Sequence, residues 1–238
     1  MAQLGQWGMP LTVLAMLMLA LAMGSALNRY QAYQSDVRAL VRRLDSGAIA
    51  LLAALAALAR VPLSKELRLI LRSEVLARYR RVRRLYRRYP AIVERIAEAE
   101  RALGAEGPRP PGGVGPIEGE QVFRKIIAAL DRLNQFLGQG QMLTPLPDDV
   151  RAIFRKELLE RRAEVMSRFH LVEAKRHERQ GHENRARTHL MALLQGLRQN
   201  RPATEFVRLL YAEAEAMLAE LNGRRLISAP AVGGGAAA

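Results

Sequence analysis

Pro10–Leu27 reads PLTVLAMLMLALAMGSAL, eighteen positions without a charged residue. At roughly 1.5 Å per residue, a helix of that length is about 27 Å long, close to the hydrocarbon core of a bilayer. The stretch predicts one membrane-spanning helix, with residues 1–27 as an N-terminal anchor. A cleaved leader is the competing reading, with Gly24, Ser25 and Ala26 as its small-residue site. A leader opens on a positive segment, however, and Met1 to Met9 carry neither Lys nor Arg. Arg29, Arg38, Arg42 and Arg43 follow the apolar run. Basic residues stay on the cytoplasmic side, so the expected location is the inner (plasma) membrane with the N-terminus outside and the body in the cytoplasm. Ala20/Gly24 and Ala22/Ala26 are small-xxx-small pairs that would let a second helix approach.

Outward from the anchor, the sequence predicts an all-α body of helical bundle or long hairpins. Aromatic residues are 5% of the 238, cysteine is absent, and Ala and Leu dominate. These are helix-forming residues, and no alternating Val, Ile and Thr run suggests a strand. Without cysteine there is no disulfide, thiolate metal site or Cys nucleophile. A net charge of +14 points to anionic partners.

Residues 28–103 form a basic helical region, with 17 basic and 7 acidic residues. Tyr33, Val37, Leu40 and Leu44 share one helix face, so the membrane helix is expected to continue as a stalk. Asp45, Ser46 and Gly47 are expected to break it. Ala48 to Leu58 is too short to span and reads as a buried helix. Ser64 suits the N-cap of the next one. Val75, Tyr79, Val82, Tyr86, Tyr89, Val93 and Ile96 then step by four and three, a helix-packing seam of the coiled-coil kind. Pro90 predicts a kink or a restart within it.

Opposite the seam lie Arg80, Arg81, Arg83, Arg84, Arg87 and Arg88, with no acid between Glu74 and Glu94. Like charges one turn apart repel, and no Glu relieves them here. These six are the candidate residues for binding an anion or a partner: anionic lipid, nucleic acid or an acidic protein.

Residues 104–120 hold six Gly and four Pro and read as a linker or long loop. Beyond it, 121–223 is expected to be a helical domain, in one bundle with 28–103 or in a second one, and 224–238 a disordered tail. Gly138–Gln141 should stop one helix, Gly181 a long one from about Asp149, and Asn222-Gly223 the last. Asn200, Arg201 and Pro202 should turn the chain between the last two. His170, His177, His182 and His189 cluster in sequence, but the surrounding EAKRHERQGHENR reads as a solvated hairpin, so no metal is assigned. There is no HExxH, phosphate-binding loop or nucleophile motif, so no catalytic residue and no cofactor are expected. The expected function is non-enzymatic: a membrane-anchored scaffold or accessory subunit of a membrane complex, or a homo-oligomer. A membrane-tethered binder of nucleic acid or anionic lipid is the alternative.

Overall fold

A computed structural model describes residues 4–107, 114–117, 119–140, 142–199 and 204–228; the side chains of 4–15, 20 and 224–228 lie outside what is described. The described chain is all-α, without a strand. Seven helices follow in order: α1 (Leu4–Ala57), α2 (Lys65–Leu85), α3 (Ile92–Gly104), α4 (Glu120–Gly138), α5 (Asp148–Arg179), α6 (Glu183–Gln199) and α7 (Glu205–Ser228). Among the described residues no helix is long and apolar enough to cross a membrane. The Pro10–Leu27 stretch is itself described in side chains only from Met16 onward, without Ala20.

Helix α1 has two environments. From Met16 to Leu40 no described side chain is buried, and Met16, Leu17, Met18, Leu19, Leu21, Met23 and Leu27 are each more than half exposed. From Val41 the same helix enters the core through Leu44, Ala48, Leu51 and Ala54, a stripe at helical spacing that Leu58 extends just past its end. The expected break at Asp45–Gly47 is absent, and the expected short helix is the last part of α1. The reason lies across the interface. A Cβ on Gly47 would stand 1.9 Å from Nη1 of Arg78. This glycine admits a guanidinium from α2; it does not punctuate the helix.

Ser64 caps α2 as expected, its hydroxyl accepting the Leu67 N–H, and it also donates to the Glu157 carboxylate at 2.7 Å. Helix α2 runs antiparallel to α1. Arg78 meets Gly47, and Tyr89, just past the end of α2, meets Asp45. The seam is not one long helix. Helix α2 ends at Leu85, Tyr86 is extended, Ala91 takes a left-handed φ of 55°, and α3 starts at Ile92. Pro90 thus sits at a restart, because its ring cannot continue the α2 hydrogen-bond ladder. Helix α3 folds back along α2, with Arg80 bonded to Glu100 and Arg68 and Arg72 to Glu106. Val75, Tyr79, Val82 and Ile96 are buried, Tyr89 is half-buried, and Tyr86 and Val93 are exposed at the turn.

The 104–120 stretch is a loop but not a boundary between cores. Residues 108–113 and 118 lie outside the described residues. Val114 is buried; its N–H donates to Glu164 at 3.0 Å and its carbonyl accepts from Arg168 at 2.5 Å. Gly115 N–H donates to the Arg60 carbonyl. Helix α4 buries Ile126, Leu130, Leu133 and Leu137 in the same core as α1 to α3, with Val122 half-buried at its edge. Across the 104–120 loop, α4 packs on α1, so the two halves share a core. The core divides instead along α5. Phe154, Leu158 and Val165 belong with the first four helices, while Ala163, Met166 and Ala174 pack on α6 and α7. Gly181, at φ 73°, reverses the chain after α5, with His182 N–H bonded to the His177 carbonyl. Helix α7 passes through Asn222-Gly223 to Ser228, so those residues do not end it. The expected turn at 200–202 and the tail from 229 lie outside the described residues.

Candidate basic face and histidine cluster

The antiparallel packing of α2 on α1 sets where the arginines stand. The C-terminal turns of α2 lie beside residues 37–44 of α1, the part nearest the exposed apolar stretch. Arg80, Arg81, Arg83, Arg84, Arg87 and Arg88 are all exposed there. Arg80 pairs with Glu100 at 2.7 Å. Among the described residues the other five make no ion pair, nor do Arg38 and Arg42 on α1.

Three openings meet around this end. A groove of 450 Å³ runs between Leu40 and Leu44 of α1 and Arg80, Arg81 and Arg84 of α2. One of 660 Å³ is lined by Arg80, Arg83, Arg84, Arg87 and Val93. One of 350 Å³ holds Arg38 and Arg42 against Tyr86 and Tyr89. The sequence identified Arg80, Arg81, Arg83 and Arg84 on α2 and Arg87 and Arg88 in the turn after it; the two added from α1 share a face with them only once the helices pair. From Leu27 to Val37 is ten residues, about 15 Å of helix. Uncompensated guanidinium groups on one face can take phosphate or carboxylate oxygens bidentately.

Asp45 holds this end together. Its carboxylate accepts the Tyr89 hydroxyl at 2.7 Å and Arg95 Nη1 at 2.5 Å. The bond to Asp45, with burial adding to it, raises the Tyr89 pKa above its ordinary value. Asp45→Ala removes both bonds and frees the 86–91 turn. A loss of about 1–2 kcal/mol is expected, read as a fall in the thermal unfolding midpoint of about 2–8 °C. An unchanged midpoint would show that the turn is held by apolar packing alone.

The second cluster is not the solvated hairpin expected from its charged neighbours. His170, Glu173 and His177 project from one face of α5 toward His189 of α6. Ligand atoms of Glu173, His177 and His189 all lie within 4.8 Å of one another, and each residue is half-buried. The Nδ1 atoms of His170 and His189 are 3.2 Å apart. Phe123 and Phe169 close one side of His170, each with its ring edge-on to the imidazole. Burial, with His189 adding to it, lowers the His170 pKa to about 4. His182 is exposed at the turn. The sequence held a signal for this. Reflection about Gly181 places His189 opposite Glu173, one turn from both His170 and His177.

No family model, curated protein or solved structure matches this chain.

Proposed function

We propose that this chain is a non-enzymatic, membrane-anchored helical protein, a scaffold or accessory subunit of a membrane complex, with its body in the cytoplasm. One observation carries the reading. Helix α1 leaves the core at Val41 and extends away from it with seven exposed Met and Leu side chains between Met16 and Leu27. An apolar surface of that extent on a folded chain calls for lipid or a partner helix. The uncharged run in the sequence continues to Pro10, which gives the length a bilayer needs. The test is purification from native membranes in mild detergent after nuclease treatment, with mass spectrometry of what remains bound. A stoichiometric set of membrane proteins supports the reading, and a lone protein sinks it.

A second reading is favoured by the place of the arginines: a binder of anionic lipid through the Arg80–Arg88 face. These groups sit about 15 Å beyond the apolar stretch, within a side chain and a Debye length of a head-group layer. Near such a surface each Arg contributes about 1 kcal/mol. The body without residues 1–27 is expected to bind phosphatidylserine vesicles in low salt. Reversal of Arg83, Arg84 and Arg87 to Glu should weaken that binding about 100-fold or more, in line with three such contributions. Binding that is unchanged by the reversal would make the face a solvated surface. Retention of RNA or DNA in preference to lipid, lost at high salt, would assign it to nucleic acid.

A further inference from the structure

Helices α5 and α6 approach closely where the histidines lie. Ala174 and Ala186 are fully buried between them, and farther along Gly196 admits Met166, whose Cε would stand 1.8 Å from an added Cβ. Small residues on both sides bring the backbones together. The long side chains at this level are Glu173, His177 and His189, with His170 one turn away. His177 and His189 stack with ring centroids 5.4 Å apart and planes 17° apart. The Nδ1 atom of His177 is buried and has no hydrogen-bond partner. A buried nitrogen left unpaired is destabilising. A bound cation would satisfy that atom.

We propose that Glu173, His177 and His189 form a binding site for a divalent transition-metal ion, with Zn²⁺ as the reference ion and His170 holding His189 in position. Two imidazoles and a carboxylate are a set that Zn²⁺ takes readily, and an imidazole-rich set also suits Ni²⁺ and Cu²⁺. Ligand atoms on a tetrahedral Zn²⁺, with bonds of about 2.1 Å, stand about 3.4 Å apart. The present limit of 4.8 Å asks for side-chain rotations that move those atoms by roughly 1 Å, without moving either helix. His189 Nδ1 faces His170 Nδ1 at 3.2 Å. A proton shared there fixes the ring and leaves His189 Nε2 for the ion, the usual role of an outer partner to a ligating histidine. Arg176 reaches Glu173 at 3.7 Å from the solvent side, and at that length it leaves the carboxylate free to turn inward. Three protein ligands, all half-buried, leave the remaining coordination position to water. The ion would join α5 to α6 beyond the turn at Gly181.

The test uses the full chain in detergent, without a polyhistidine tag and stripped of metal, titrated with Zn²⁺ against a chromogenic chelator. One ion per chain is expected. His177→Ala and His189→Ala should each weaken it at least 100-fold. Glu173→Gln and His170→Gln should weaken it about tenfold. His182→Ala, outside the set, should leave affinity unchanged. Zn²⁺ should also raise the unfolding midpoint of the parent chain but not of His189→Ala. Metal-free unfolding of each variant separates ligand loss from misfolding, and His177→Gln and His189→Gln serve where an Ala variant does not fold. Binding weaker than about 100 μM, or equal affinity in the parent and both His variants, overturns the site. So does loss of binding in His182→Ala alone.

Discussion

Deleting residues 1–27 is expected to move this chain from the membrane pellet to the soluble fraction while the body stays folded. Residues 10–27 contain seven Leu and Val. Each favours insertion by about 0.3–0.6 kcal/mol, so together they supply about 2–4 kcal/mol before Met and Ala are added. The body should survive the deletion because none of the described side chains from Met16 to Leu40 is buried and the core begins at Val41. A finer variant keeps the length: Leu17→Arg with Leu19→Arg. Each Arg at a membrane helix centre costs about 2.5–3.5 kcal/mol, enough together to reverse the gain. Alkaline carbonate extraction and density flotation read the result, and circular dichroism reports folding. A parent chain that is soluble without detergent, or a deletion that still floats with lipid at high salt, where the arginine face is screened, would overturn the anchor.

The second large effect belongs to Glu74→Ala, which should lower the unfolding midpoint by about 6–12 °C. Glu74 is fully buried, and its carboxylate accepts Arg78 Nε at 2.8 Å and the Leu143 N–H at 3.0 Å. Arg78 in turn lies over the Phe136 ring at 5.1 Å and against Gly47. One carboxylate therefore joins α1, α2, α4 and the segment leading to α5. Removing the acid of a buried pair costs about 3–5 kcal/mol, because the charge left behind stays desolvated. At about 2–4 °C per kcal/mol for a chain of this size, the lower end of that cost gives the stated shift. Glu74→Gln keeps an acceptor for Leu143 and should lose about half as much. Gly47→Ala presses on the same guanidinium from α1, so its cost and that of Glu74→Ala should not add. A midpoint within 1 °C of the parent for Glu74→Ala would mean that apolar packing alone holds these elements.

The sequence made the later helices plain and the α1–α2 interface obscure. Helices α4 and α6 carry clear periodicity, and Gly138, Gly140 and Gly181 mark real stops, two of them with positive φ. Gly47 looks identical in the sequence to such a stop. Only Arg78, 31 positions later, shows that it marks a close approach. The seam from Val75 to Ile96 has the spacing of one rod, and Pro90 alone hinted that it folds back on itself. The arginines were legible as a run, but Arg38 and Arg42 joined them through pairing with a distant segment. The histidines were hidden by their neighbours' charge. Lys175, Arg176 and Arg179 point to water while the intervening face turns to α6.

A helix of 54 residues is about 81 Å long, and α1 has no free joint where it enters the body. Ser46 and Gly47 are where a hinge could open. Asp45 is tied there to Tyr89 and Arg95, and Arg78 occupies the space beside Gly47. Clamped at that point, the rod would transmit a tilt of its free end to the body. A 10° tilt of its N-terminal half would carry the clamped end, about 40 Å away, sideways by about 7 Å. The whole body would follow, and the arginine face would be raised from or pressed toward whatever surface the rod stands on.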